Sequence, residues 1–411
     1  MMRRIRNTLD EAQRFWNLPR DAKMEYLTDH WRVPRQDPGI EKTVACAITW
    51  LCLAQDNSAS QDGGVSEFYS LKTGWGPSYP ETTGYIVPTM IKHARVTSDK
   101  GVRGRAKQML DWLVSIQLPD GSFQGGNIWA QPRRPTVFNT GQVLLGLASG
   151  VREFGDEYRE AMCRAADWLV NVQDHDGCWR KYASPFVVPG AKTYDVHAAW
   201  GLLEANRLEA GRKYAEAALA NARWALTQQT VNGWFLQCCV DDLRRPLSHT
   251  LGYVVRGILE AFRYSGDPIF LEAARRTSDS LLKAMQTDGF LAGRFFSNWQ
   301  AAEPWACLTG TVQMAYCWLL LYCLTGEERY RDAAQIANQY VRRTVCVSGP
   351  RHKKGGIKGA FPIDGAYADY CYISWGCKFF VDANLFEKEM RENALDLDTS
   401  CTSPIGVHPV G

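Results

Sequence analysis

The chain has 411 residues, of which 45% are hydrophobic and 22% are charged, as is usual for a globular protein. Its 47 basic and 44 acidic residues are spread along the sequence and give a formal net charge of only +3. Because no basic tail or block could follow a phosphate backbone, we expect no nucleic-acid partner.

The first forty residues carry charge every few positions and lack the apolar stretch of a secretory signal. The most apolar segment, residues 314–324, is shorter than the roughly 20 residues that a membrane-spanning helix needs, so we expect no membrane span. The 13 cysteines are odd in number, and many lie in apolar helical patterns, which favours a reducing compartment. We therefore expect a cytoplasmic protein. We also expect residues 1–40 to form a helical extension that packs on the main domain.

A phrase recurs at the end of successive amphipathic segments: WLVSIQLPDGSF at 112–123, WLVNVQDHDGCW at 168–179, WALTQQTVNGWF at 224–235 and LLKAMQTDGF at 281–290. The first three copies start 56 residues apart, and an earlier copy begins at Trp50. Apolar residues stand at helical spacing before each phrase, and the Asp-Gly or Asn-Gly that follows is a turn signal. Each copy therefore predicts one amphipathic outer helix.

A second kind of helix is predicted between the copies, within 79–91, 136–148, 193–205, 247–261, 305–324 and 369–385. These segments are apolar nearly all round and begin with cap residues, as expected of a buried inner ring. Short turns lead from each inner helix to the next outer one, whereas the return connections are long and must gather on one face. The pattern predicts an all-α fold, an (α/α)6 toroid over 41–386, followed by a flexible tail at 387–411. An open helical solenoid is the alternative.

The phrase W-L-x3-Q-x3-G-x-W/F resembles the QW repeat of squalene and oxidosqualene cyclases, and more broadly the terpenoid cyclase and protein prenyltransferase toroids. Residues 168–179 match it position for position. The resemblance implies that the Gln and the aromatic ring join one hairpin to the next, which concerns architecture and not chemistry. The same double ring resembles six-hairpin glycosidases, toroidal polysaccharide lyases and sugar epimerases. The likeness covers roughly 41–386 and assigns no single family.

Two motifs of these families are incomplete in this chain. Class II terpene cyclases protonate their substrate with D-x-D-D, whereas residues 239–242 read C-V-D-D and lack the first Asp. Prenyltransferase β subunits hold zinc with D-x-C-Y and a later His; residues 369–372 read D-Y-C-Y, but the only later histidine is His408. We therefore expect neither a metal nor another cofactor.

Equivalent positions of the inner helices point to candidate site residues. The helices align on a small residue near the start of each: Gly84, Gly141, Ala198, Gly252, Gly310 and Gly376. Three residues earlier stand Glu81, Asp195 and His249, which we expect to converge on the ring axis. The last long loop adds Asp364 and Tyr367 as further catalytic candidates. Helix N-termini meeting at this end suit a substrate with carboxylates or many hydroxyls.

Substrate-binding candidates adjoin these positions on the inner helices and in the long loops. They are Tyr85, Asn139, Gln142, Tyr253, Trp75, Trp129, Trp179, Trp234 and Trp305, and the other loop aromatics are Tyr69, Tyr79, Phe123, Phe186, Phe296, Trp299 and Phe361.

Each catalytic candidate also has a purely structural interpretation. Glu81 and Asp195 could serve only as first-turn or cap residues, and His249 could merely satisfy a loop carbonyl. Asp241 and Asp242, close to Arg244 and Arg245 in sequence, are more typical of a solvated ion-pair cluster.

Carboxyl, imidazole, phenol and amide groups around an aromatic cleft predict an enzyme that acts on an oligo- or polysaccharide. In hydrolysis, Glu81 with Asp195 or Asp364 would supply acid and base. In uronate epimerisation or β-elimination, His249 or a tyrosine would remove a proton beside a carboxylate. We place hydrolysis slightly ahead. The alternatives are an isoprenoid cyclase-like enzyme and a non-catalytic glycan-binding toroid, and we expect a monomer or homodimer.

Overall fold

The computed structural model describes residues 15–393 except Arg32 and Arg35. The α-helices of these residues are α1 Arg20–Trp31, α2 Ile40–Asp56, α3 Pro80–Thr97, α4 Lys100–Ile116, α5 Val137–Phe154, α6 Arg159–Asn171, α7 Val196–Asn206, α8 Tyr214–Thr227, α9 Ser248–Ser265, α10 Pro268–Ala284, α11 Leu308–Thr325, α12 Glu328–Thr344 and α13 Ser374–Asn393. From α2 onward they alternate. The even-numbered helices form the outer ring and the odd-numbered helices form the inner ring, as predicted.

Tight turns join each inner helix to the next outer helix. Between α9 and α10, for example, Gly266 takes a left-handed conformation, and the Asp267 side chain accepts a hydrogen bond from the backbone N–H of Ile269. The opposite connections are long and lie together at one end of the ring. This asymmetry places all of the irregular chain on one face.

The inner helices form a closed ring. Each packs against the next, and α13 packs against both α3 and α2. Thr89 Oγ1 donates to Asp382 Oδ1 at 2.7 Å, and Lys92 Nζ lies 2.9 Å from Glu389 Oε1, so polar contacts bridge the seam as well. The protein is an (α/α)6 toroid, and the alternative of an open solenoid is wrong.

Glycine allows the inner helices to approach closely. A Cβ at Gly84 would lie 2.5 Å from the Cα of Val143, and a Cβ at Gly141 would lie 2.3 Å from the Cβ of Ala198. Both distances are shorter than any side chain tolerates, so these positions need glycine. Gly376 differs, because its nearest neighbours belong to the strand before α13 and to the last long loop.

Short strands, which the sequence pattern did not predict, hold the long loops together. They are β1 Phe68–Ser70, β2 Gly74–Trp75, β3 Ala306–Cys307, β4 Ala360–Phe361 and β5 Cys371–Ile373. One antiparallel sheet has the order β2-β1-β5, with Tyr69 opposite Trp75 and Tyr372, and β3 pairs with β4. The pairing of β1 with β5 joins the first long loop to the last and closes the ring a second time.

The repeated glutamine links neighbouring outer helices, as the resemblance implies. Gln173 Nε2 donates to the carbonyl oxygens of Gly177 at 2.9 Å and Ala217 at 2.8 Å, and Gln117 makes the corresponding pair of bonds one repeat earlier. The aromatic ring acts differently. Trp179 donates to Leu169 O at 3.0 Å within its own repeat.

The two ends of the described chain pack on the ring. Asp29 of α1 accepts hydrogen bonds from Lys358 Nζ at 2.5 Å and from the backbone N–H of Ile363 at 3.0 Å. Helix α13 continues to Asn393, past residue 386, where the sequence placed the end of the toroid. Most of the predicted tail lies outside the described residues. In the part of the chain that the structure describes, one helix, α11, is long and apolar enough to cross a membrane, and 72% of it is buried in the protein.

Candidate functional site

A cavity of about 530 Å³ opens at the long-loop end, between the N-terminal turns of the inner helices and the loops above them. Its volume lies within the usual range for small-molecule sites. Its polar lining side chains include Glu67, Glu81, Asn127, Asn139, Asp241, His249 and Arg294, and its aromatic ones are Tyr79, Tyr85, Phe138, Phe186, Tyr194, Tyr253, Tyr367 and Trp375.

Glu81 lies in the first turn of α3, directly after Pro80. A helix N-terminus stabilises a carboxylate, yet burial in the cavity wall raises the pKa of Glu81 to about 8, and a hydrogen bond with Tyr85, one turn along the helix, offsets only part of this. The carboxyl group is therefore protonated at neutral pH. It can act as a proton donor.

A second carboxyl group, Glu67, enters the cavity from the first long loop. It accepts a hydrogen bond from Asn127 Nδ2 at 3.3 Å, and burial raises its pKa to about 7. Burial and then the charges of Glu81 and Glu67 raise the pKa of Tyr79, so the two carboxyl groups and this phenol form one cluster. Carboxyl groups whose pKa values burial raises toward neutrality are typical of sites that use acid–base catalysis.

His249 occupies the position on α9 that Glu81 occupies on α3. Its Nδ1 lies 2.7 Å from Oε1 of Gln313, an acceptor, so Nδ1 carries the proton and Nε2 keeps its lone pair. Burial lowers the pKa of His249 to about 4, and the imidazole is neutral. Its ring centroid lies 4.4 Å from that of Tyr253 and 5.7 Å from that of Tyr367.

Tyr367 comes from the last long loop. The indole N–H of Trp375 donates to its hydroxyl oxygen at 2.8 Å, which leaves the hydroxyl proton free to donate elsewhere. Burial raises the pKa of Tyr367 well above its ordinary value, so the phenol stays neutral.

An ion pair forms another part of the wall. Arg294 donates to both oxygens of Asp241, at 2.9 and 2.6 Å, and to the carbonyl oxygen of Arg245 at 2.8 Å. Burial alone would raise the pKa of Asp241, but these bonds from Arg294 hold it below its ordinary value. Asp242 pairs with Arg245 at 2.9 Å. The sequence-based ion-pair interpretation thus describes both aspartates, although Asp241 also lines the cavity.

Two of the predicted carboxylates do not line the cavity. Asp195 ends a 3-10 turn, Thr193–Asp195, that precedes the short helix α7, and this turn brings Tyr194 to the cavity in place of its neighbour. Asp364 lies 2.9 Å from His30 Nε2 of α1, outside the cavity. Glu81, His249 and Tyr367 are therefore the catalytic candidates that the fold brings together.

Three of the binding candidates on the inner helices, Tyr85, Asn139 and Tyr253, line the cavity. The fourth, Gln142, does not, because its Oε1 lies 2.8 Å from Nδ1 of His197 in the buried core.

The five candidate tryptophans lie elsewhere. Trp75 and Trp234 pack against other tryptophan rings, Trp179 and Trp305 are buried with their indole N–H groups hydrogen-bonded, and Trp129 is exposed to solvent. The rings that reach the cavity are mostly tyrosines and phenylalanines.

The sequence analysis did not select several lining residues, namely Glu67, Asn127, Tyr194, Arg294 and Trp375. Tyr194 directly precedes Asp195, so a one-residue change of phase would have found it, and Trp375 directly precedes the aligned Gly376. The long loops supply Glu67, Asn127 and Arg294. No sequence repeat in these loops indicates which way a side chain points.

The zinc-like motif serves another purpose. Asp369 pairs with Lys72 at 2.6 Å, and Cys371 belongs to strand β5. Within the described ranges, no group of three His, Cys, Asp or Glu residues could hold a metal ion.

Comparisons with known proteins agree with this architecture. The family model for the squalene-hopene cyclase C-terminal domain matches residues 76–255. A crystal structure of an unsaturated glucuronyl hydrolase specific for heparin is similar over 87% of this chain and 99% of that one, with a TM-score of 0.70 and 15% identity. The chain shares the toroid fold.

Two further solved structures are similar to it. A D-mannose isomerase matches over 87% of this chain and 100% of that one, with a TM-score of 0.68 and 13% identity. Cellobiose 2-epimerase from Bacillus thermoamylovorans B4167 matches over 82% and 95%, with a TM-score of 0.64 and 12% identity. No curated protein matches the sequence. At these identities the likenesses establish the fold, and no single family is assigned.

Proposed function

We propose that this protein is a carbohydrate-active enzyme that uses Glu81 as its acid. The main support is that one ligand-sized cavity contains two carboxyl groups, Glu81 and Glu67, whose pKa values burial raises to about 8 and about 7. Amide and phenol groups beside them suit sugar hydroxyls, and aromatic rings suit the apolar faces of sugars. The toroid fold shared with sugar-processing enzymes agrees with this proposal but does not specify a reaction.

Glycoside hydrolysis is the reaction that this arrangement supports best. Glu81, protonated at neutral pH, donates its proton to the glycosidic oxygen as the bond to the sugar breaks. Glu67, in its ionised form, then accepts a proton from the attacking water. Glu67 takes the role that the sequence analysis gave to Asp195 or Asp364.

Epimerisation or isomerisation is a second candidate, because of one specific observation. His249 is a neutral imidazole whose Nδ1 proton is bonded to Gln313, so Nε2 is available as a base, and the rings of Tyr253 and Tyr367 lie close to the imidazole. Such a base could remove a proton beside a sugar carbonyl, with a tyrosine stabilising the oxyanion.

The isoprenoid cyclase alternative has weaker support. Protonating an alkene needs a strong, protonated acid, whereas Asp241, in the nearest approach to the cyclase motif, is held as a carboxylate by Arg294. The cavity also contains polar groups that a hydrocarbon would leave without hydrogen bonds.

We further propose that the enzyme works in a reducing compartment such as the cytoplasm. Of the twelve cysteines in the described residues, the eleven other than Cys323 are free thiols.

An activity screen with site variants tests the proposal. Short oligosaccharides would be assayed for new reducing ends, and free sugars for exchange of solvent deuterium. Glu81→Gln should reduce hydrolysis at least 100-fold, and Glu67→Gln should reduce it comparably, as is usual for loss of a general acid or base. Glu157→Gln, which changes a surface carboxylate paired with Lys107, is the matched control and should keep full activity. Full hydrolytic activity in Glu81→Gln would refute the assignment.

A further inference from the structure

The charges around the cavity bear on its substrate class, and this inference rests on the function proposed above. We propose that the cavity accepts uncharged sugar units and discriminates against sugars that carry a carboxylate. The proposal separates this chain from glucuronyl hydrolases with the same fold.

The charged lining is unbalanced toward acids. Among the lining residues that the structure describes, Glu67, Glu81 and Asp241 carry carboxyl groups, and Arg294 is the one permanent cation. His249, the other basic side chain, is a buried imidazole bonded to Gln313.

The single lining cation is already engaged. Arg294 uses two of its nitrogens to bind both oxygens of Asp241 and also donates to the backbone oxygen of Arg245. Its side chain is only 7% exposed, while that of Asp241 is 57% exposed, so the face of the pair that meets solvent is the acidic one. A substrate carboxylate would have to displace Asp241 to reach the guanidinium group.

Cations behind the wall are engaged as well. Lys192 donates to the carbonyl oxygens of Gly190 and Ala191 and does not line the cavity. Lys378 pairs with Asp382 at 2.9 Å, and Arg256 pairs with Glu260 at 2.8 Å, both inside the ring. None of the three is free to meet a ligand in the cavity.

A bound uronate would therefore be desolvated beside Asp241 and the ionised form of Glu67 without a free counter-ion, which is strongly unfavourable, while the protonated Glu81 adds no charge. A neutral sugar meets none of this repulsion. Its hydroxyls can donate to Glu67 and Asn139 and accept from Tyr367.

The test compares matched sugar pairs that differ only at C6. Glucose and glucuronate, galactose and galacturonate, and mannose and mannuronate would each be titrated into the protein by calorimetry. In every pair whose neutral sugar binds, that sugar should bind tenfold or more tightly than its uronate. A uronate that binds as tightly as its neutral partner, or more tightly, would overturn the inference but leave the proposed function standing. Binding of no sugar in any pair would also overturn the inference, whereas the proposed hydrolysis is tested separately by the oligosaccharide screen above.

Two variants test the physical cause. Asp241→Asn releases Arg294 toward the cavity and should reduce the preference for the neutral sugar at least threefold. Asp176→Asn, which releases Arg180 from an ion pair outside the cavity lining, is the matched control and should leave the preference unchanged. An unchanged preference in Asp241→Asn would overturn the role given to the engaged arginine.

Discussion

At the scale of single residues, burial and not a charged partner sets the pKa values of Glu81 and Glu67. The largest contribution to the raised pKa of both Glu81 and Glu67 is desolvation, and no neighbouring charge acts on either carboxyl group to a comparable extent. Such groups are retained at a cost to stability, which is typical of functional sites.

The cost of burying Glu81 can be measured. Its pKa rises from an ordinary 4.5 to about 8 on folding, so the stability that its protonated form contributes is complete below pH 4.5 and is lost as the pH rises through about 8. Glu81→Gln removes this loss. We expect the variant to be more stable than the parent at pH 9, by on the order of 2 kcal/mol, and to show no such gain at pH 4. Urea unfolding at the two pH values measures both differences, and equal differences would contradict the shifted pKa.

The environment of His249 makes a second prediction. Replacing its acceptor by a carboxylate, in Gln313→Glu, should stabilise the imidazolium and raise the pKa of His249 from about 4 by at least one unit. Gln142→Glu, which places a carboxylate in the similar pair with His197, is the matched control. It should leave the pKa of His249 unchanged. Histidine NMR titration of both variants would show the shift. If the pKa of His249 stayed the same in Gln313→Glu, the hydrogen bond would not be as described.

At this scale the sequence revealed only part of the site. Glu81 and His249 could be predicted because they share one position of a repeated helix, and the ring carries that position to the axis. Glu67 and Arg294 could not, because they lie in long loops whose course depends on strand pairing between distant segments. Asp195 was expected at the ring axis, whereas the 3-10 turn before α7 brings Tyr194 to the cavity.

At the scale of helices, the repeated glutamine determines how one outer helix meets the next. Gln229 Nε2 donates to Ala273 O at 2.8 Å and to Thr277 Oγ1 at 2.9 Å, whereas Nε2 of the adjacent Gln228 donates to Thr227 Oγ1 in its own repeat. Gln229→Ala should therefore lower the free energy of unfolding by about 1–2 kcal/mol, and Gln228→Ala should change it by less than about 0.5 kcal/mol. Denaturant unfolding of the pair provides the measurement. Equal effects would show that the link between helices does not stabilise the fold.

The helices themselves could be predicted almost completely. Apolar spacing and turn residues are local properties, so the alternation of outer and inner helices followed from the sequence. The short strands could not be predicted in this way, because strands of two or three residues have no recognisable period and form only when the ring brings the loops together.

At the scale of the whole molecule, closure of the ring creates the cavity. Where α13 meets α3, Asp382 pairs with the buried Lys378 and accepts a hydrogen bond from Thr89. Asp382→Ala would leave a buried ammonium group without its partner and should destabilise the protein by about 3 kcal/mol. Asp279→Ala, at a more exposed ion pair with Arg329, should cost clearly less. Calorimetry would compare the two variants, and equal losses would mean that the seam contributes little to stability.

The central claim is that a sugar binds in this cavity with its reacting oxygen beside Glu81. The most direct test is a crystal structure of Glu81→Gln grown with a neutral oligosaccharide that the parent enzyme turns over. We predict a sugar ring within the cavity, a glycosidic oxygen within hydrogen-bond distance of residue 81, and Glu67 close to the anomeric carbon. A saccharide bound elsewhere, or oriented with its reacting oxygen away from residue 81, would contradict the account.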